Sequence, residues 1–159
     1  MPQSPFIIQE QQYSQIKAVL ERVRVECAAR AVFLVDRDGQ TIAFGGEIGD
    51  MDTTSFSSLA AGNVAATTSM AKLIGENVFP CVVHEGEHES IFISVIGRSL
   101  LVVVFDEHSS LGLVKIRAKR ASHEIAAVLE EAARYSASMA GANPAFSEIT
   151  EDDIDSLFR

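Results

Sequence analysis

The spacing of apolar residues along the chain predicts three long helices. Over residues 11–29 they recur at alternating steps of three and four, which places them on one face of a helix. A second helix is predicted between Asp52, whose side chain can cap the first free amides, and Gly75, which can adopt the left-handed terminating conformation. The third, over residues 110–135, has the clearest apolar seam in the chain.

Five short β-rich runs lie between these helices. The first two, residues 31–35 and 40–44, are separated by the tight-turn dipeptide Asp38-Gly39, which predicts a hairpin. An antiparallel meander is predicted after Pro80, with strands at residues 81–84, 90–96 and 100–105. Short hairpins indicate an antiparallel sheet covered by helices, so the predicted fold class is α+β.

The length of 159 residues suits one compact domain, since typical domains contain roughly 100–200 residues. Residues 136–144 are rich in Ser, Ala and Gly, which is typical of a flexible linker. We therefore predict an N-terminal extension over residues 1–10, the domain over 11–135, a linker over 136–147 and a C-terminal amphipathic segment over 148–159.

The C-terminal segment is the clearest indication of a binding partner. Acidic residues open it, which favours a helix, and Ile154, Leu157 and Phe158 then share one side, with Ile149 before them. These side chains cannot form a core by themselves. The segment therefore predicts an amphipathic helix that is offered to a groove on a partner. A segment that packs back on its own domain is the alternative interpretation.

Composition and charge exclude several classes of protein. Apolar residues make up 47% and charged residues 22%, as in ordinary globular proteins. The formal net charge of −9 argues against binding to nucleic acid or to anionic membranes. No run approaches the length of a membrane span, and no secretion signal opens the chain. Two cysteines in no metal-ligand spacing favour a reducing compartment, so we expect a cytoplasmic protein.

One motif matches the zinc-protease pattern literally, His84-Glu85-Gly86-Glu87-His88. Two histidines four apart share a metal ion when they lie on a helix, whereas in an extended strand about 13 Å separates them. The motif lies between two β-rich runs, so we predict a solvated acidic turn. The sequence has no phosphate-binding glycine loop, nucleophile elbow or reactive cysteine motif. We expect no cofactor, no bound metal and no catalytic site.

Helix two combines a small-residue stripe with a bulkier side. Small side chains allow another backbone to approach closely, and a glycine within a helix costs around 1 kcal/mol unless packing requires it. A helix enclosed within its own domain would also select small residues, so both interpretations stay open. The stripe contains Ser58, Gly62, Ala65, Ser69 and Lys72, opposite Phe56, Leu59, Met70 and Leu73.

Helix three is basic in its first half and acidic later. This order opposes the helix dipole at both ends. Ion pairing with neighbouring acids is the simpler interpretation, and a basic patch that meets an acidic partner is the other. The basic residues are Lys115, Arg117, Lys119 and Arg120.

Taken together, these segments resemble the Roadblock/LC7 family. Within it they are most similar to the MglB group, which regulates the Ras-like polarity GTPase MglA. The similarity covers residues 13–135, and the C-terminal segment resembles that group's own tail. The residues that carry it are Val32-Phe33-Leu34-Val35-Asp36 with Asp38-Gly39, Leu59-Ala60-Ala61-Gly62-Asn63-Val64-Ala65-Ala66, Lys72-Leu73-Ile74-Gly75-Glu76-Asn77, Phe105-Asp106, Ser110-Leu111-Gly112-Leu113-Val114 and Lys119-Arg120-Ala121-Ser122.

The resemblance implies a three-layer α/β/α arrangement, with one helix on one face of a five-stranded antiparallel sheet and two on the other. It also implies a homodimer formed through helix two and the third strand. The partner would be a small MglA-type GTPase in polarity or motility, bound through the stripe around Ala65 and Ser69. Hydrolysis would be accelerated without an arginine finger, and the tail would make a second contact that affects nucleotide exchange.

Two alternatives to this function remain at the level of sequence. One is a Roadblock-type scaffold that binds other Roadblock proteins without stimulating hydrolysis. The other is a small-ligand sensor domain, which would need an apolar cavity with converging polar groups. The stripe on helix two discriminates between a regulator and a sensor, because it would be exposed in a regulator and covered by the same chain in a sensor.

Overall fold

The computed structural model of the protein describes residues 8–142. Three helices and five strands follow one another in the predicted order. They are α1 (Glu10–Glu26), β1 (Ala31–Asp36), β2 (Thr41–Gly46), α2 (Thr53–Leu73), β3 (Cys81–Glu85), β4 (Glu89–Ile96), β5 (Ser99–Asp106) and α3 (Leu111–Ala142).

The five strands form one antiparallel sheet in the order β2-β1-β5-β4-β3. β1 and β5 are its centre and are buried along nearly their whole length, with Val32 opposite Val103 and Leu34 opposite Leu101. The predicted hairpin and the predicted meander are both confirmed. Among residues 8–142, β2 and β3 are the two edges of the sheet, and β3 pairs with β4 alone.

The helices cover the two faces of the sheet unequally. α1 and α3 pack side by side on one face, where Leu20 and Ile125 join the sheet residues Leu101 and Val103 in one buried cluster. α2 lies on the other face, where its Val64 belongs to a second cluster with Phe33. The α+β class, with one helix on one face and two on the other, is therefore confirmed.

The third helix is longer than its apolar seam predicts. The prediction places its end at residue 135 and the start of a linker at 136, but residues 136–142 continue α3 to Ala142. Alanine and methionine favour a helix, and the first proline after the seam is Pro144, so no residue in between forces an end. The rest of the predicted linker and the segment 148–159 lie outside the described residues. The same holds for the predicted partner-binding residues Ile149, Ile154, Leu157 and Phe158.

The turn between β1 and β2 sets how closely α2 approaches the sheet. Gly39 has a φ of +91°, and a Cβ added there would lie 2.9 Å from the Cα of Ser58 in α2. The Thr41 and Ser57 hydroxyl oxygens are 2.5 Å apart in the same region. Glycine is thus required at position 39 by the backbone conformation and by the contact.

We expect Gly39→Ala to lower the free energy of unfolding by about 2–4 kcal/mol, because the clash adds to the cost of a left-handed alanine. Urea unfolding measures the change. Gly97→Ala is the matched control: Gly97 also has a positive φ, +55°, but nothing lies within 4 Å of an added Cβ. The control should lose only about 1–2 kcal/mol. Equal losses at the two positions would show that the contact with Ser58 adds nothing.

Candidate protein interaction surface

The second helix is attached to the domain by small residues. The helix begins at its N-cap Asp52, whose side chain accepts hydrogen bonds from the Ser55 amide (3.2 Å) and the Ser55 hydroxyl (2.6 Å). The hydrogen bond from the hydroxyl is the main reason why the pKa of the Asp52 carboxyl lies below its usual value. Short side chains on the packed side let the helix axis lie close to the sheet. The buried residues of α2 are Ser57, Ala60, Ala61, Val64 and Ala71.

The predicted small-residue stripe lies on an exposed side of α2, about 120° around the helix from the packed residues. Gly62 is at its centre, and nothing lies within 4 Å of a Cβ added there, so packing within the subunit does not explain the glycine. The Ser69 hydroxyl donates a hydrogen bond to the Ala65 carbonyl oxygen (3.2 Å), which turns its polar atom towards the helix backbone. All five stripe residues are exposed: Ser58, Gly62, Ala65, Ser69 and Lys72.

An exposed apolar ridge, which the sequence pattern does not predict, runs beside this stripe. Leu59 is 73% exposed, Met70 60%, Leu73 87% and Ile74 71%. At 100° per residue the first three lie within about 60° of one another around the helix. The prediction that Leu59, Met70 and Leu73 lie opposite the stripe is therefore wrong, because they flank it. Phe56, the fourth residue predicted on that side, is the one that packs on the sheet.

The direction of the ridge could not be read from α2 alone. Both sides of the helix carry apolar or small residues at helical spacing, so periodicity does not say which side meets the sheet. The one usable signal was the run of short side chains at Ser57, Ala60, Ala61 and Val64, because a helix that lies close to a sheet requires short side chains where it touches.

The free edge of the sheet follows α2 along the chain. β3 offers one side to β4 and leaves its other side without a partner strand among the described residues. Cys81, at its start, is exposed, while Val82 packs against the same buried cluster that α2 covers. An uncovered edge strand presents free amide and carbonyl groups that another strand can pair with. The ridge and this edge are therefore two surfaces on which a second chain can dock.

The zinc-protease motif forms the turn between β3 and β4. Its first two residues end β3, and the amide of Gly86 donates a hydrogen bond to the carbonyl oxygen of Glu89 (3.0 Å). A Cβ at position 86 would lie 2.3 Å from that same oxygen, so the turn requires glycine. The predicted hairpin turn is confirmed. Over residues 8–142 no three His, Cys, Asp or Glu side chains are grouped so that they could hold a metal ion.

The strand-end acids and histidine form a local turn. The Asp106 carboxylate accepts a hydrogen bond from the His108 amide (2.9 Å) and lies 2.9 Å from that residue's Nδ1. The amide contact lowers the pKa of Asp106, and the carboxylate raises the pKa of His108. The His108 side chain is exposed to solvent. As for membranes, none of the helices in the described part of the chain is long and apolar enough to span one.

Comparison with known proteins defines the class to which this arrangement belongs. The model of the Roadblock/LC7 domain family matches residues 16–105, from α1 to the end of β5. The chain belongs to the Roadblock/LC7 family. It is also similar to solved structures of MglB, as the resemblance in sequence predicts, and this supports a Roadblock-type regulator of the MglB kind.

Three of these structures illustrate the likeness. MglB of Myxococcus xanthus is 46% identical, with a TM-score of 0.75, and the match covers 79% of this chain and 96% of that one. The gliding protein MglB of Thermus thermophilus is 36% identical, with a TM-score of 0.76 over 81% and 98% of the two chains. A structure described as MglB with tetrameric arrangement is 35% identical, with a TM-score of 0.77 over 82% and 98%.

Proposed function

We propose that the protein is a homodimeric regulator of a small Ras-like GTPase of the MglA type, and that it accelerates GTP hydrolysis by its partner in bacterial polarity or motility. The observation that carries the proposal is the small-residue stripe of α2, whose five residues are all exposed. An exposed stripe is what the regulator hypothesis requires and what a ligand sensor with a covered helix would lack. The 46% identity to MglB supports the same function.

The homodimer is supported by the apolar ridge and the free edge of the sheet. Four large apolar side chains that are 60–87% exposed, three on α2 and one at its C-cap, are costly in water, and a patch of this kind marks an interaction site. A second copy can cover the ridge with its own ridge, because a two-fold axis brings identical surfaces together. The edge of β3 is free to pair with the same strand of that copy. The tetrameric arrangement described for one MglB relative supports self-association in this group.

The composition of α2 determines how it would act on a GTPase. The helix contains no arginine, and its one cation, Lys72, lies in the last turn. A catalytic arginine supplied by a partner is worth roughly 10³–10⁵ in rate, so another source of acceleration is needed. We infer that the stripe holds the GTPase's own catalytic side chains and attacking water in place, which is an effect of positioning.

The C-terminal segment supplies a second proposed contact with the GTPase. Its apolar anchors are Ile149, Ile154, Leu157 and Phe158, and its role is to promote nucleotide exchange or to hold the GTP-bound state. We expect deletion of residues 147–159 to weaken GTPase binding or to change the rate of nucleotide exchange. The melting temperature should stay nearly unchanged, because residues 8–142 by themselves form two extensive buried clusters. A large fall in melting temperature would instead assign the segment to the core.

A turnover assay tests the proposed function directly. The GTPase alone and the GTPase with this protein are compared for phosphate release, and the molar mass of the protein in solution is measured with and without the GTPase, which also detects binding. Faster release with a two-chain mass supports the proposal. Binding without faster release would favour the Roadblock-type scaffold, and no binding would rule out a direct GTPase regulator.

A further inference from the structure

A second apolar patch lies on the outer surface of the α1 and α3 pair, away from α2. Val25 is 63% exposed and Ile116 is 67% exposed. The residues that follow them, Glu26 and Arg117, form an ion pair across the two helices at 3.5 Å. The ion pair places Val25 and Ile116 at the same level of the two neighbouring helices. We call Val25 and Ile116 the α1/α3 patch.

The surroundings of the α1/α3 patch are basic, although the protein as a whole has a net charge of −9. Lys115 and Lys119 are exposed on α3 and have no ion-pair partner among residues 8–142. Arg120 is exposed as well and lies 3.7 Å from Glu124. The acids nearby are already engaged, since Glu124 also pairs with Arg22 and Glu26 pairs with Arg117. Lys115 and Lys119 are therefore available to an acidic partner.

The chain itself carries a segment of matching chemistry. Residues 143–159 contain five acids and a single base, and their apolar residues end in Leu157-Phe158. We propose that the C-terminal segment docks in cis on the α1/α3 patch, with Leu157 and Phe158 on Val25 and Ile116. The acids would then face the exposed cations of α3. They are Glu148, Glu151, Asp152, Asp153 and Asp155.

The length of the segment fits this position. Ile116 lies about 39 Å from Ala142 along α3, at 1.5 Å per residue. Residues 143–152 in extended form span about 34 Å, and a helical end over residues 152–158 adds about 9 Å, which exceeds that distance by about 4 Å and leaves length for the chain to turn back. A segment that folds back along α3 therefore brings Phe158 to the α1/α3 patch and leaves its acids one to two turns closer to the end of the helix. This docking describes the protein without its GTPase, which would compete for Leu157 and Phe158 when bound, so crosslinking of the protein alone tests it separately from the proposed GTPase contact.

Photo-crosslinking of the full-length chain tests the docking. Phe158 is replaced with p-benzoylphenylalanine, the protein is irradiated, and crosslinked peptides are identified by mass spectrometry. We expect crosslinks to peptides that contain Val25 or Ile116, within one chain and with a yield unchanged on dilution. Crosslinks to α2 or β3, crosslinks between chains, or no crosslinks would each overturn the proposal.

Charge-reversal variants separate specific docking from chance contact. Lys115→Glu with Lys119→Glu should lower the crosslinking yield roughly fivefold or more, because attraction between tail and helix becomes repulsion. Arg37→Glu with Arg98→Glu is the matched control, since it changes the charge equally at exposed positions outside α1 and α3 and should leave the yield unchanged. Adding Asp152→Lys with Asp153→Lys to the first variant should restore the yield. Equal losses in test and control, or no rescue, would contradict docking at this patch.

Discussion

We expect the double variant Ala65→Arg with Ser69→Arg to lose its stimulation of GTP hydrolysis while its fold stays intact. Both residues are exposed, one turn apart, on the small-residue stripe of α2. Two long charged side chains there would keep a partner's backbone from approaching. A loss of about 3 kcal/mol in binding free energy would weaken the complex roughly 100-fold. Phosphate release with a fixed amount of GTPase, measured over a range of regulator concentrations, gives the result.

The matched control is Ser14→Arg with Ala18→Arg on α1. It changes the same residue types at the same spacing, and both positions are exposed. Each double variant should keep its free energy of unfolding within about 0.5 kcal/mol, because exposed substitutions remove little packing. The control should stimulate hydrolysis normally. If the α2 variant also stimulates normally, the stripe is not the GTPase contact.

The second large effect is expected in the mass of the protein in solution. Met70→Glu with Leu73→Glu should convert a two-chain species into single chains, as measured by sedimentation or light scattering. Two-fold symmetry places each substitution in the interface twice, so four carboxylates would have to be buried. Burying an unpaired charge costs several kcal/mol, which is enough to dissociate a dimer at micromolar concentration.

Val25→Glu with Ile116→Glu controls for the loss of exposed apolar surface by itself. Its two positions are about as exposed as Met70, but they lie on the opposite side of the sheet. This variant should keep the two-chain mass. A dimer that survives the α2 substitutions would mean that the ridge does not hold the two copies together, and dissociation of the control would mean that the α1/α3 surface does.

The elements of the fold were predictable because their signals are local. The Asp38-Gly39 turn, the Asp52 cap and the apolar spacing of the helices each depend on residues that are near one another in the chain. The turn at Gly86 follows from the same reasoning, and its strand-like flanks are enough to reject a helical zinc-protease motif. The end of α3 was not predictable in this way, since residues 136–142 are compatible with both a helix and a linker.

The candidate site was predictable in part. Gly62 indicates a packing requirement, and the stripe around it is exposed as the regulator hypothesis requires. The apolar ridge was missed, because which side of α2 meets the sheet depends on the strands that it covers. Leu59 and Leu73 are typical core residues by type, and only their position on the outward side makes them available to a partner.

Over residues 8–142 the sequence by itself determined the number, order and approximate bounds of the helices and strands, because backbone preferences and hydrophobic periodicity act over a few residues. Only the tertiary structure decided which side of each helix is left open. Burial is a property of elements brought together from distant parts of the chain, so the ridge on α2 and the basic α1/α3 patch exist only once the sheet has formed between them.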